Sequence, residues 1–383
     1  MRSSPICVLL SLVLFIFVTG CNNENAGNTK AAQIKIEKLK THHTLKSNKN
    51  LLLGLPVKLK YDDKTDHLFI LDVAKHEIIE INDSDDVVNK FGGKGHGPGE
   101  VQAIQNFYIT SRHLFIIDGK QLLINKYRLR DGHYISSLDY GKFLLKNKVN
   151  ASNHGNHPPP PPLPFADDNN KPFVTQKGTV LLPTQTGGKY LYEERNWKGK
   201  KLANIGAVPK GYAATEKKDK IRSALENGNV PQKDLAEAFP VNDCANPNDI
   251  YLVYSAIPKI AKYSLSGQKI WAHKISRTPE IDSIMTEVSN LVKKHHHLWR
   301  SRIYVAGRCS PDGNLYLATF TYGPLPFHHL PMWIHQFSPK GKLVKRYKIV
   351  SNIDLFTYPG IDFKRNKIFF PSVNHSSLRI YHF

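Results

Sequence analysis

Cysteine is scarce in this chain of 383 residues: there are four, at Cys7, Cys21, Cys244 and Cys309. No two share a CxxC spacing, which excludes a cysteine-built zinc site and a dense disulfide framework. Cys244 and Cys309 are left as either a pair in an oxidising compartment or two free thiols. Long apolar runs are also lacking. The one extended run, Ile6–Val18, is shorter than the ~20 residues of a bilayer-spanning helix. Acidic residues are outnumbered, 32 Asp and Glu against 53 Lys and Arg, for a formal net charge of +21. That balance suits acidic partners, unless the lysines only solvate the surface. No paired-carboxylate or nucleophile–histidine–acid pattern stands out, so no reaction can be named and neither cofactor nor metal is implied.

What is present begins with an address. Arg2, the apolar run and the small residues Val18-Thr19-Gly20 before Cys21 have the layout of a signal peptide over residues 1–20. Val18-Thr19-Gly20-Cys21 resembles the lipobox of bacterial lipoproteins, which implies lipidation of Cys21. The polar segment 21–32 then serves as a tether. Asn22, with no acidic retention signal after the cysteine, favours the outer membrane. The expectation is a monomeric protein held at the cell envelope by a lipid, with an acidic polysaccharide or envelope protein as partner and no nucleic acid.

Removing the leader leaves 363 residues, and their organisation comes from a repeat. Six strand-like runs recur: "HLFILD" from His67, "HLFIID" from His113, "TVLLPT" from Thr179, "DIYLVYS" from Asp249, "NLYLAT" from Asn314 and "KIFFPS" from Lys367. Each is short, β-branched or aromatic, and bounded by turn residues. A second strand ending in a polar turn follows most of them. Leu68 and Leu114 lie 46 residues apart, close to the ~40–45 of a bare four-stranded blade. Later intervals are longer because of insertions at about 146–172 (proline-rich), 213–239 (two short helices broken at Gly228 and Pro231), 279–300 (helical) and 322–331 (proline-rich). The fold class is therefore all-β: one six-bladed β-propeller over residues 33–383 with helical and proline-rich loop insertions. The strand at 31–41 is expected to pair beside 377–383 and close the ring.

"FGGKGHGPGEV", residues 91–101, holds five glycines. A Walker A loop needs GxxxxGK[ST] opening a helix, whereas here a strand follows and Pro98 lacks an amide donor. The segment instead turns the chain from the rim of one blade to the inside of the next, where glycine supplies positive φ. The stretch "FGGKGHGPGEV…NFYITSRHLFIIDGKQLLINKYRLRDG" resembles an NHL-type repeat. With the lipobox, the mature chain resembles the TolB-like six-bladed propeller lipoproteins of Bacteroidetes-type bacteria. That resemblance implies a six-bladed fold and an extracytoplasmic address, and no common reaction.

Candidate ligand contacts are Lys94, His96 and Glu100 on the glycine loop and Arg308 in "YVAGRCSPDG", unless these are simply solvated or ion-paired. Asp72 and Asp118 end equivalent strands, but Thr184, Ser255, Thr319 and Ser372 stand there in later repeats, so they form no acidic ring and are expected to accept hydrogen bonds from turns. His295, His296 and His297 point ~100° apart on a helix and cannot share one metal. His328, His329, Trp333 and His335 form either a lid patch or core. The function expected is binding or scaffolding without catalysis. The alternative is a channel-centred metal-dependent hydrolase or lyase, whose ligands would be non-local and so invisible in sequence.

Overall fold

The computed structural model describes residues 34–145, 170–184, 188–295, 298, 302–320, 332–350, 358–372 and 376–383. Cys21, the leader, the tether, most of the 146–172 insertion with its proline run, residues 322–331, His296 and His297 lie outside the described residues.

Two short strands, β1 (Ile36–Leu39) and β2 (Thr41–Lys46), precede blade one, formed by β3 (Pro56–Asp62), β4 (His67–Asp72), β5 (Glu77–Ile81) and β6 (Val87–Gly92). Blade two is β7 (Ile104–Ile109), β8 (His113–Asp118), β9 (Leu123–Arg128) and β10 (Tyr134–Asp139), followed by a short helix, α1 (Gly141–Leu145). Blade three is β11 (Phe173–Val174), β12 (Val180–Pro183), β13 (Tyr190–Arg195) and β14 (Lys201–Ala207), and α2 (Lys218–Glu226) follows it. Blade four is β15 (Ala238–Asn242), β16 (Asp249–Tyr254), β17 (Lys259–Ser264) and β18 (Lys269–Lys274), followed by α3 (Pro279–His295). Blade five is β19 (Ala306–Cys309), β20 (Leu315–Phe320), β21 (Met332–Phe337) and β22 (Leu343–Ile349). Blade six contains β23 (Gly360–Asp362), β24 (Lys367–Ser372) and β25 (Ser377–His382).

Six sheets thus repeat one antiparallel order, and the chain is an all-β six-bladed propeller. The second strands are buried on both faces, as in β4 and β8, because each blade is sandwiched between neighbours; hence their unbroken apolar runs. Outer strands such as β6 and β10 alternate exposed and covered side chains. The apolar core therefore sits between blades. Phe69, Ile78 and Phe91 of blade one meet Phe107, Leu114 and Ile116 of blade two.

Closure differs in detail from the sequence expectation. The N-terminal segment forms two strands rather than one. Residues 36–39 run parallel to β22 as a fifth strand of blade five, and β2 pairs antiparallel with β25 as the outer strand of blade six. The break falls at Lys40, where the chain leaves one blade for the next. Leu45 of β2 and Leu378 of β25 then pack with Leu59, Ile70 and Ile79 of blade one, joining the ends of the ring.

Within the 279–300 insertion, Pro279–His295 is helical, with Ile281, Ile284, Met285, Val288, Leu291 and Val292 buried along α3. Val288 and Val292 meet Ile221 and Leu225 of α2. The second helix expected in 213–239 reduces to a single 3₁₀ turn, Gln232–Asp234. Pro231 opens it, and the chain must already be extended at Ala238 to supply β15. The first turn of α3 is pinned by buried charge. His335 Nε2 lies 2.6 Å from Glu280 Oε1, Arg346 donates to Glu280 Oε2 at 3.1 Å, and Tyr304 Oη lies 3.0 Å from His335 Nδ1. His335 is thus core, while Trp333 is half-buried beneath the Lys348 ammonium, 5.4 Å from its ring.

Candidate functional site

The glycine segment crosses from β6 to β7 and is closed on itself. Gly92, Gly93 and Gly99 have φ of +93°, +113° and +82°, in the region glycine alone enters freely. A Cβ on Gly92 would lie 2.9 Å from the His76 carbonyl, so the chain passes its neighbour at backbone distance. Three of the segment's glycine amides are already used. Gly93 donates to the His76 carbonyl at 2.9 Å, Gly95 to the Val101 carbonyl at 3.3 Å, and Gly97 to Glu100 Oε2 at 2.7 Å. The Glu100 carboxylate occupies the loop as its internal acceptor. Lys94 and His96 are exposed on its rim.

Asp72 and Asp118 lock such crossovers. Asp72 accepts from the amides of Gly54 and Leu55 at 2.6 and 2.9 Å, and Asp118 from those of Gln102, Lys120 and Gln121 at 2.6, 2.9 and 3.0 Å. Both are fully buried turn acceptors, as their positions at strand ends suggested.

Arg308 stands apart from the glycine loop, on the innermost strand of blade five. Its guanidinium donates to the Gly307 carbonyl at 2.9 Å and to the Leu59 carbonyl of β3 at 3.2 Å, bridging blades five and one across the channel. On β3 the Lys58 ammonium lies 4.6 Å from the Tyr358 ring centre, and that of Lys60 lies 4.0 Å from Tyr108 while donating to the Phe107 carbonyl. These channel-side cations are met by carbonyls and aromatic faces. Among the described residues, no group of three or more His, Cys, Asp or Glu side chains converges in a way that could hold a metal ion.

A groove of about 690 Å³ between blades one and two, at the end where first and second strands turn, is lined by three arginines. Its base is Glu80, 2% exposed, which faces His67 Nδ1 at 2.7 Å and accepts from Asn89 Nδ2 at 2.7 Å. Arg112 lies in the β7–β8 turn and His113 opens β8, while Arg128 ends β9 and Arg130 lies in the turn that follows. The Leu129 amide donates to the Arg112 carbonyl at 2.9 Å, holding the two turns together. Leu129 is buried in the blade one–two core, while Arg128 is half-buried and Arg130 exposed. Arg128 and Arg130 both reach Asp131, at 2.9 and 3.3 Å. Burial, and then the charges of Lys126, Arg112 and Arg128, hold the His113 imidazole below its usual pKa. Burial first and the nearby cations second thus favour the neutral imidazole. These groove residues escaped the sequence reading. Their only signal was the clustering of Arg112, Arg128 and Arg130 in adjacent turns of one repeat.

A sequence profile of the family DUF5128, described as a 6-bladed beta-propeller, matches residues 24–152. No curated protein matches the chain. Among solved structures, the chain is similar to a DUF4221 family member from Bacteroides vulgatus, with a TM-score of 0.53 and 9% identity over 90% of this chain and 97% of that one. It is also similar to a protein described as exported from Bacteroides fragilis, with a TM-score of 0.49 and 13% identity over 91% and 99% of the two chains. A gluconolactonase from Xanthomonas campestris has a TM-score of 0.42 and 7% identity over 89% and 96%. At these identities the likeness is one of fold. Among the described residues, no helix is long and apolar enough to cross a membrane.

Proposed function

We propose that this chain is a lipid-anchored envelope protein, held through Cys21, whose propeller binds an acidic polysaccharide in the groove between blades one and two. The observation that carries this reading is the groove itself. Three arginines and His113 line it, and its one lining carboxylate, Glu80, is buried and already engaged by His67 and Asn89. Guanidinium groups pair with carboxylates in a bidentate manner and keep their charge at any physiological pH, which suits repeated uronate groups. The groove offers hydrogen-bond donors and positive charge, the chemistry that holds an anionic chain in place. The glycine loop, whose amides and Glu100 satisfy one another, takes no ligand in this account.

Calorimetric titration with polygalacturonate tests the proposal. Binding should weaken steeply with added salt, and Arg112→Ala should weaken it about tenfold, the worth of one charge-assisted hydrogen bond. Pullulan, a neutral glucan, should not bind. Equal affinity of wild type and Arg112→Ala would remove the groove from the account.

A further inference from the structure

The seam between blades four and five brings together the two described cysteines. Cys244 follows β15 and Cys309 ends β19, 65 positions later. The Cys244 amide donates to Cys309 Sγ at 3.1 Å, and the Cys244 thiol donates to the Cys309 carbonyl at 3.0 Å. Each sulfur therefore lies against the other residue's main chain. Cys244 is exposed and Cys309 buried, so one thiol meets solvent while the other waits behind it. The surrounding seam is held in place: Lys262 Nζ lies 2.6 Å from Asp243 Oδ2, and Tyr251 Oη donates to the Gly313 carbonyl at 3.1 Å.

We propose that Cys244 and Cys309 are a redox pair that closes to a disulfide between blades four and five, with an external disulfide as oxidant. Where the pair closes in the cell rests on the envelope address proposed above; whether it closes rests on this geometry alone. The Cys244 thiolate attacks one sulfur of the external disulfide, forming a mixed disulfide and releasing one thiol. Cys309 sulfur then attacks Cys244 Sγ, forming the interblade bond and releasing the second thiol. Two protein thiols are oxidised, one external disulfide is reduced, and the two protons leave with the released thiols. The adjacent Cys244 thiol, and then burial, push the Cys309 thiol up, which makes exposed Cys244 the first nucleophile. Engaging Cys244 in the mixed disulfide removes the larger of those two influences before Cys309 must react.

The test uses the full chain incubated with excess oxidised glutathione, quenched with N-ethylmaleimide and peptide-mapped. A Cys244–Cys309 cross-linked peptide is expected, with a higher thermal midpoint than the reduced chain. Cys309→Ser should instead retain one glutathione on Cys244, and Cys244→Ser should take up none on Cys309. A wild-type chain carrying glutathione on Cys244 with Cys309 still alkylatable would overturn the proposal. Acid trapping in intact cells separates the two readings. A pair found oxidised there supports both, whereas a pair reduced in cells that closes in vitro upholds the pair and contradicts the envelope address.

Discussion

Glu280 and Asp63 are carboxylates that the fold treats in opposite ways. Burial alone would raise Glu280, but the His335 hydrogen bond and charge outweigh it and hold the carboxyl below its ordinary value of 4.5. A folded-state pKa below the unfolded one gives stability that is present above pH 4.5 and lost as the pH falls through and below that value. Burial pushes Asp63, beside Asp62 and Asp362, up to about 6. For an acid whose folded pKa is raised the sign reverses, and its contribution is fully present below 3.8 and lost as the pH rises through about 6. Urea unfolding across this range should therefore show Asp63→Asn gaining stability over wild type at pH 7 and matching it at pH 3.5. Glu280→Gln should lose at pH 7, by about 3 kcal/mol for a broken buried ion pair, and the loss should shrink in acid. The same sign for both variants at pH 7 would show that the two sites are not held as described.

At the scale of elements, the crossover between blades one and two depends on backbone shape. Gly99 has φ of +82°, and a Cβ there would sit 3.0 Å from the Tyr134 ring. Gly99→Ala should cost about 1–3 kcal/mol in chemical denaturation, the price of a non-glycine residue held in that region. A neutral substitution would mean that the loop relaxes. The legibility of the elements followed their burial. Second strands are covered on both faces, so β4, β8 and β16 stood out as apolar runs. Two inner strands are short, β11 having two residues and β23 three, and carry no period to read. The α3 stripe was plain at helical spacing, whereas the end of the 213–239 insertion was misread because helical polarity cannot reveal that Ala238 already belongs to a blade. The glycine loop was read correctly as a turn from its composition. The basic groove was not, because it needs the β3–β4 turn of blade one beside the β7–β8 turn of blade two, a juxtaposition that only the folded ring supplies.

The whole molecule is a ring whose two ends must meet. Strand β2 supplies the outer edge of blade six, and Leu45 reaches the core shared with blade one. A chain lacking residues 34–46 would expose the β25 edge and lose that apolar contact, so it should unfold at lower denaturant with a broader transition and self-associate on sizing columns. A sharp, monomeric transition would mean that the ring closes without β2. The ring also sets the position of the groove, since one turn from each of two blades is needed to assemble it.

Whether this groove takes negative charge is read out by following the His113 imidazole by NMR through a pH titration. Free protein should show His113 below its ordinary 6.5, held there by burial and then by Lys126, Arg112 and Arg128. Saturating polygalacturonate should raise that midpoint as carboxylates offset the cations, while pullulan leaves it in place. An unmoved His113 under saturating polygalacturonate would contradict the claim.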